Sequence, residues 1–161
     1  MKLDGTSCMV RDGKLYKRYD AKKGSTPPVG FEPAQLEPDE ITGHWPGWIP
    51  VGEGNDDKWH REAFATPILN PLLDGTYELI GPKVQSNPYK LDKHYLVAHG
   101  VQLLSAPETF NELRQYLSTF DGEGIVWWYK GEPVCKLKRR DFGFEWPIKE
   151  RENTKEAQSN G

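Results

Sequence analysis

A chain of 161 residues is long enough for one domain with a real core. A mean hydropathy of −0.75 with 12% aromatic residues describes a wet but foldable chain and excludes general disorder. No apolar run approaches the roughly 20 residues of a membrane span, and the opening MKLDGTS turns acidic and glycine-bearing too early for a secretory leader.

Cys8 and Cys135 lack metal-ligand spacing and fit a reducing compartment, so a cytoplasmic or otherwise intracellular protein is expected. Each thiol is expected to pack as a small apolar residue in a strand. A net charge of −3 taken alone argues against a polyanionic partner. The charges are segregated, however, and a local basic site is compatible with that total. Residues 1–30 carry Lys2, Arg11, Lys14, Lys17, Arg18, Lys22 and Lys23 against few acids, and Lys136, Lys138, Arg139 and Arg140 form a second basic run.

In chain order, Thr6–Arg11 and Lys14–Tyr19 flank Asp12-Gly13, a strong hairpin signal. The Pro- and Gly-rich stretch from Asp20 to Pro50 predicts an extended loop with a short strand near its end. Trp45 and Trp48 within it are expected to pack onto the core rather than to bind a ligand. Lys58–Leu69 predicts a short helix broken at Pro67. Strands are predicted at Gly75–Gly81 and Lys93–Gly100, with His99 a satisfied polar residue at the second strand's end. Ser105–Thr119 predicts a helix capped by Ser105, with Pro107 in its first turn and an apolar stripe of Phe110, Leu113 and Leu117. Two further strands, EGIVWWYK and PVCKLKRR, follow, and the polar tail 149–161 is expected to be disordered. Strands dominate and no repeat is present, so the class is an antiparallel α+β domain over residues 1–148.

The last two strands bear chemistry. With Gly131-Glu132 as a two-residue turn, Trp127 pairs with Lys136, Ile125 with Lys138, and Glu123 with Arg140. One face then joins an acid, an apolar floor and three cations, which suits a nucleoside polyphosphate with its metal. The opposite face, Val126, Trp128, Cys135 and Leu137 with Arg139 at its margin, is the expected core side. A solvated face with rim ion pairs is the equally open alternative.

KLDG, YELIG, EGIVW and KLK, in that order, resemble the ordered motifs of the covalent nucleotidyltransferases, which include ATP-dependent ligases and mRNA capping enzymes. GHWPGWIPV, YELIGPKVQSNPY, AHG, EGIVWW and KRRDFGFEWPI are similar to the pattern of the vertebrate-type 5′-to-3′ RNA ligases, in patches over residues 2–148. The resemblance implies an antiparallel-sheet, ATP-grasp-like ligase adenylation domain. Only 23 residues follow Lys138, so the expectation is a minimal domain without the OB-fold that follows in DNA ligases and capping enzymes.

The resemblance also implies roles. Lys2 is the lysine that becomes adenylated, with Asp4 and Gly5 completing its motif. Arg18 is the arginine after the first hairpin, and Glu78 holds the nucleotide ribose or a metal-bound water. Glu123 places the catalytic metal, and Lys136 and Lys138 flank the α-phosphate. ATP and Mg²⁺ or Mn²⁺ are the implied cofactors, and RNA with 5′-phosphate and 3′-hydroxyl ends is the implied partner of a monomeric enzyme. A free lysine titrates near about 10.4, so nearby cations and desolvation are what such a nucleophile needs. With only Met1 ahead of it, Lys2 is expected to depend on the downstream hairpins holding the Asp4-Gly5 bend against the sheet. Three readings stand: an ATP-dependent RNA ligase, a same-fold enzyme for capping or DNA ligation, or a catalytically impaired domain that binds nucleotide or RNA ends.

Overall fold

The computed structural model describes residues 1–67 and 72–148. The tail expected at 149–161, and Leu69 at the end of the first predicted helix, lie outside them. The chain forms two compact units, Leu3–Leu104 and Met1–Lys2 together with Ser105 onward. Both are built on antiparallel pairing, and two α-helices are present among the described residues, giving a small α+β fold.

In the Leu3–Leu104 unit the strands are β1 (Thr6–Arg11), β2 (Lys14–Lys22), β3 (Glu32–Pro33), β4 (His44–Pro50), β5 (Gly75–Ile80) and β6 (Tyr95–Ala98). They form one six-stranded sheet in the order β3-β4-β2-β1-β5-β6. The predicted first hairpin is present because Asp12 (φ 51°) and Gly13 (φ 68°) both enter the left-handed region, as a tight two-residue turn requires. Helix α1 (Lys58–Ala65) stops short of Pro67, whose ring disfavours helix in the residue before it.

Alternation along the strands puts Cys8, Val10, Leu15, Tyr77, Leu79 and Leu96 on one face, where Ala63 of α1 joins them in the core. Neither tryptophan of the long loop belongs to that cluster, contrary to expectation. Both are half-buried. Trp45 packs edge-on against Phe31, with ring centroids 5.4 Å apart, and donates from Nε1 to the Gln35 carbonyl. Trp48 lies beneath the Arg18 guanidinium, 5.6 Å from it.

In the other unit, helix α2 (Phe110–Thr119) begins five residues later than predicted. Pro107 presses Ala106 towards extended backbone, so Ser105 cannot cap; Thr109 occupies the cap position instead, with its hydroxyl 2.6 Å from the Glu112 carboxylate. Of the predicted stripe, Leu117 is fully buried, but Phe110 is largely exposed and rests edge-on against Phe142 at 5.2 Å.

Strands β7 (Gly124–Tyr129) and β8 (Glu132–Lys138) make a two-stranded ribbon whose turn is Lys130-Gly131, not Gly131-Glu132. Lys130 (φ 49°) and Gly131 (φ 82°) supply the two left-handed positions, and a bulge at Val134 adds one residue to β8. Together these move the register by one residue. Val126 therefore pairs with Lys136 and Gly124 with Lys138, replacing the predicted Trp127 and Ile125 partners. Ile125 lies on the opposite face and is buried, whereas Trp128 and Cys135, assigned to the core, are exposed. Arg140 leaves the strand for the short 3₁₀ turn Arg139–Phe142, and Arg139, expected at a margin, is buried.

Candidate functional site

Three of the predicted site residues converge within one unit. The Lys2 N–H donates to the Gly124 carbonyl at 2.7 Å, and the two residues form an antiparallel bridge at the edge of β7. Gly124 pairs on its other side with Lys138. Lys2, Gly124 and Lys138 thus form one cross-strand row, and residues in such a row project to the same face. The middle member has no side chain. A Cβ on Gly124 would collide with the Leu137 carbonyl and come within 2.9 Å of the Lys138 Cα, so only glycine fits.

Glu123 is buried, its side chain 3% exposed, and its carboxylate takes both lysines of that row. Oε2 pairs with Lys2 Nζ, and Oε1 lies 3.2 Å from Lys138 Nζ. A buried carboxylate needs such partners, because loss of hydration is otherwise uncompensated. The backbone is held too: the Glu123 carbonyl accepts from the Arg139 N–H at 2.9 Å, and the Lys138 N–H donates to the Asp141 carboxylate at 2.7 Å. Lys136 shares the face of Lys138 two residues earlier in β8 but does not reach Glu123. It forms no ion pair among the described residues.

Among the described residues no cluster of three or more His, Cys, Asp or Glu could hold a metal on protein donors alone. Glu123 offers one carboxylate beside two cations. Both its oxygens face lysine ammonium groups, so a hard divalent cation here would have to take most of its ligands from substrate phosphates and water.

The remaining candidates lie in the Leu3–Leu104 unit. Gly5 crosses β5 so closely that a Cβ would strike the Leu79 carbonyl and lie 2.8 Å from the Glu78 Cγ. The Asp4 N–H donates to the Tyr89 hydroxyl at 2.6 Å, and the Gly5 carbonyl accepts from Gln85 Nε2 at 3.3 Å. That partner loop holds Gln85, Ser86 and Asn87 successively at positive φ, an uncommon backbone state for non-glycine residues. Glu78, nearly buried in β5, meets His99 Nε2 at 2.8 Å, and Ser7 Oγ lies 3.5 Å from the same oxygen. His99 Nδ1 is 3.0 Å from the Thr76 hydroxyl, so the ring is a satisfied polar residue at the end of β6, as read from sequence.

On the face away from the core, Val97 pairs with Glu78 and Glu78 with Ser7, while Arg18 pairs with Trp48. One step beyond Cys8–Lys17, the hairpin register sets Arg18 opposite Ser7. Arg18 and Glu78 therefore lie on the same face of the sheet, with Trp48 beside the arginine. The neighbouring Cys8 thiol is on the other face. Burial, and then the Glu78 charge, pushes it up to about 12.

Sequence reasoning missed Gly124, Tyr89 and Arg139. The glycine directly after the acid was a usable signal for the first. Arg139, inside a KRR run, looked like any solvated cation.

A family model described as RNA ligase 1 matches residues 56–157. RNA ligase 1 of Danio rerio is 31% identical over 155 residues, covering 74% of this chain and 47% of that protein. RNA ligase 1 of Pongo abelii is 34% identical over 148 residues, covering 69% of this chain and 44% of its own. The chain spans about half the length of the curated relatives it matches.

Proposed function

This chain belongs to the RNA ligase 1 family, and from that premise we propose that it is an ATP-dependent RNA ligase working through a covalent lysyl-AMP on Lys2. Its domain is read as a nucleotidyltransferase adenylation domain. The observation that carries the reading is the Lys2–Gly124–Lys138 row with both ammonium groups on the Glu123 carboxylate.

In the first step the neutral Lys2 amine attacks the α-phosphorus of ATP. A nitrogen–phosphorus bond forms, the bond to the bridging oxygen breaks, and pyrophosphate leaves. Lys2, an ammonium in its pair with Glu123, gives one proton to water before it attacks and a second as the nitrogen–phosphorus bond forms, so the Glu123 carboxylate keeps its charge. Lys138, 3.2 Å from the same carboxylate, supplies fixed positive charge beside the transferring phosphoryl group. A divalent cation held by Glu123 would neutralise phosphate charge as pyrophosphate departs. In the second step an oxygen of the RNA 5′-phosphate attacks the phosphorus of lysyl-AMP, releasing the lysine. In the third, a 3′-hydroxyl attacks the activated 5′-phosphate, AMP leaves, and a phosphodiester remains. The protein's contribution is chiefly positioning and charge.

Lys136, Asp4, Gly5, Arg18 and Glu78 are assigned nucleotide contacts by resemblance, with the ribose or a metal-bound water as the partner of Glu78. The reading takes ATP as the nucleotide and a monomer as the working form.

Incubation with ATP and Mg²⁺ followed by intact-mass measurement tests it. A mass gain of one AMP is expected, absent in Lys2→Ala and weak with GTP. Undiminished labelling of Lys2→Ala would refute the nucleophile, and equal labelling from GTP would favour a capping-type enzyme.

A further inference from the structure

We propose that the open face of the β7–β8 ribbon is a single-stranded RNA track, on which Trp128 stacks on a base and Lys136, assigned above to the nucleotide, meets an RNA phosphate when no nucleotide is bound. The proposal rests on the RNA ligase reading for its ligand. Strand alternation puts Gly124, Val126 and Trp128 on one face of β7, and the observed pairing adds Lys138, Lys136 and Pro133 from β8. The same face receives the Lys2 row. From Gly124 to Trp128 the strand runs about 13 Å, so the cations and the indole lie along one continuous surface leading away from the reacting lysine.

Its chemistry matches a single strand. Trp128 is 39% exposed and Lys136 is exposed, whereas Ile125 on the opposite face is buried. On this face Lys136 is exposed and Lys138 stands beside it on Glu123, while Lys130 and Arg140 flank the ribbon in its turns and Arg139 is buried; the one acid between Trp127 and Arg140 is Glu132. An exposed ring interleaved with cations is the arrangement by which proteins hold unpaired nucleotides, through base stacking and backbone charge. An acidic peptide would use the cations but not the flat indole face.

The probe is a fluorescein-labelled, 5′-phosphorylated single-stranded RNA, and its affinity is measured by polarisation without ATP. Omitting ATP makes the result independent of whether Lys2 accepts AMP. Trp128→Ala should weaken binding about tenfold or more, and Trp128→Phe should restore it to within about threefold. Tyr129→Ala, which removes a ring from the other face, should leave affinity unchanged. Lys136→Gln should lower the slope of log affinity against log salt by about 0.7. Far-UV circular dichroism of each variant establishes that the ribbon is folded. The track is overturned if Trp128→Ala and Trp128→Phe both bind as wild type. It is equally overturned if polyglutamate displaces the RNA from wild type and Trp128→Ala alike, since the surface would then be a general anion site without stacking.

Discussion

The backbone N–H of Arg139 donates to the Glu123 carbonyl at 2.9 Å, while its guanidinium donates to the carbonyls of Leu117 and Phe120 at 2.5 and 2.8 Å. One buried residue therefore ties the end of α2 to the backbone of Glu123, whose carboxylate holds Lys2 and Lys138. The last carbonyls of a helix lack partners inside it, and Nη1 of this guanidinium satisfies two at the end of α2 while complementing the negative end of the helix dipole. Its Nε donates to the Glu145 carbonyl at 3.0 Å as well.

Arg139→Met should therefore leave three carbonyls without their donor. We expect a loss of about 2–4 kcal/mol in urea unfolding. Arg139→Lys should recover only part of it, because an ammonium cannot reproduce the planar fork. A midpoint unchanged in Arg139→Met would mean that water replaces the guanidinium at no cost.

Gly124→Ala tests the row itself. The new Cβ meets backbone, the Leu137 carbonyl, which cannot swing aside as a side chain would. The strands must part, carrying Lys138 away from Lys2, and AMP transfer from ATP should slow by at least about tenfold. Gly131→Asn is the contrast: nothing lies within 4 Å of its Cβ, and asparagine tolerates φ 82°. That variant should adenylate as wild type. Equal rates for wild type and Gly124→Ala would show that the ribbon yields without disturbing the lysines.

The two hairpins show what the sequence could reveal. Asp12-Gly13 was legible because both residues readily take the left-handed backbone of a tight turn. In the second hairpin Lys130 takes that conformation, and nothing about a lysine side chain signals it. The bulge at Val134 is equally silent, since a bulge is a property of the pairing and not of one residue. A one-residue error therefore placed Ile125 on the face of Lys138, when it lies on the opposite one. Lys2, Glu123 and Lys138 were reached through resemblance, whereas the need for glycine at 124 emerges only once Leu137 is seen against it.

The cysteines give a solvent-access test. Burial and the Glu78 charge raise the Cys8 thiol to about 12, which keeps it protonated and unreactive, while Cys135 is exposed on β8. A disulfide-exchange reagent at neutral pH should modify one thiol per native chain and two in urea. Rapid native modification of both would show that the sheet opens around β1.

Acid should destabilise the Leu3–Leu104 unit in two stages, both set at the start of α1. His60 is lowered by burial, and its Nδ1 has no hydrogen-bond partner among the described residues, with Asp57 4.0 Å away. Asp57 is raised by burial, but the Lys17 ammonium and the Gly52 N–H, at 2.7 Å, outweigh that and hold it below its ordinary value. In both cases the unfolded chain takes up the proton first, so stability rises with pH across each window. For His60 the loss begins as pH falls through about 6.5; for Asp57 it begins near about 3.9 and continues to the lower folded value. Urea midpoints measured from pH 8 downward should therefore fall first near neutrality and again in acid. His60→Gln should flatten the first fall. Asp57→Asn should lower stability at neutral pH, by leaving Lys17 unpaired, and flatten the second. A midpoint that stays level between about pH 7 and 5 in wild type would mean that the His60 ring takes up its proton in the folded protein as easily as in the unfolded chain.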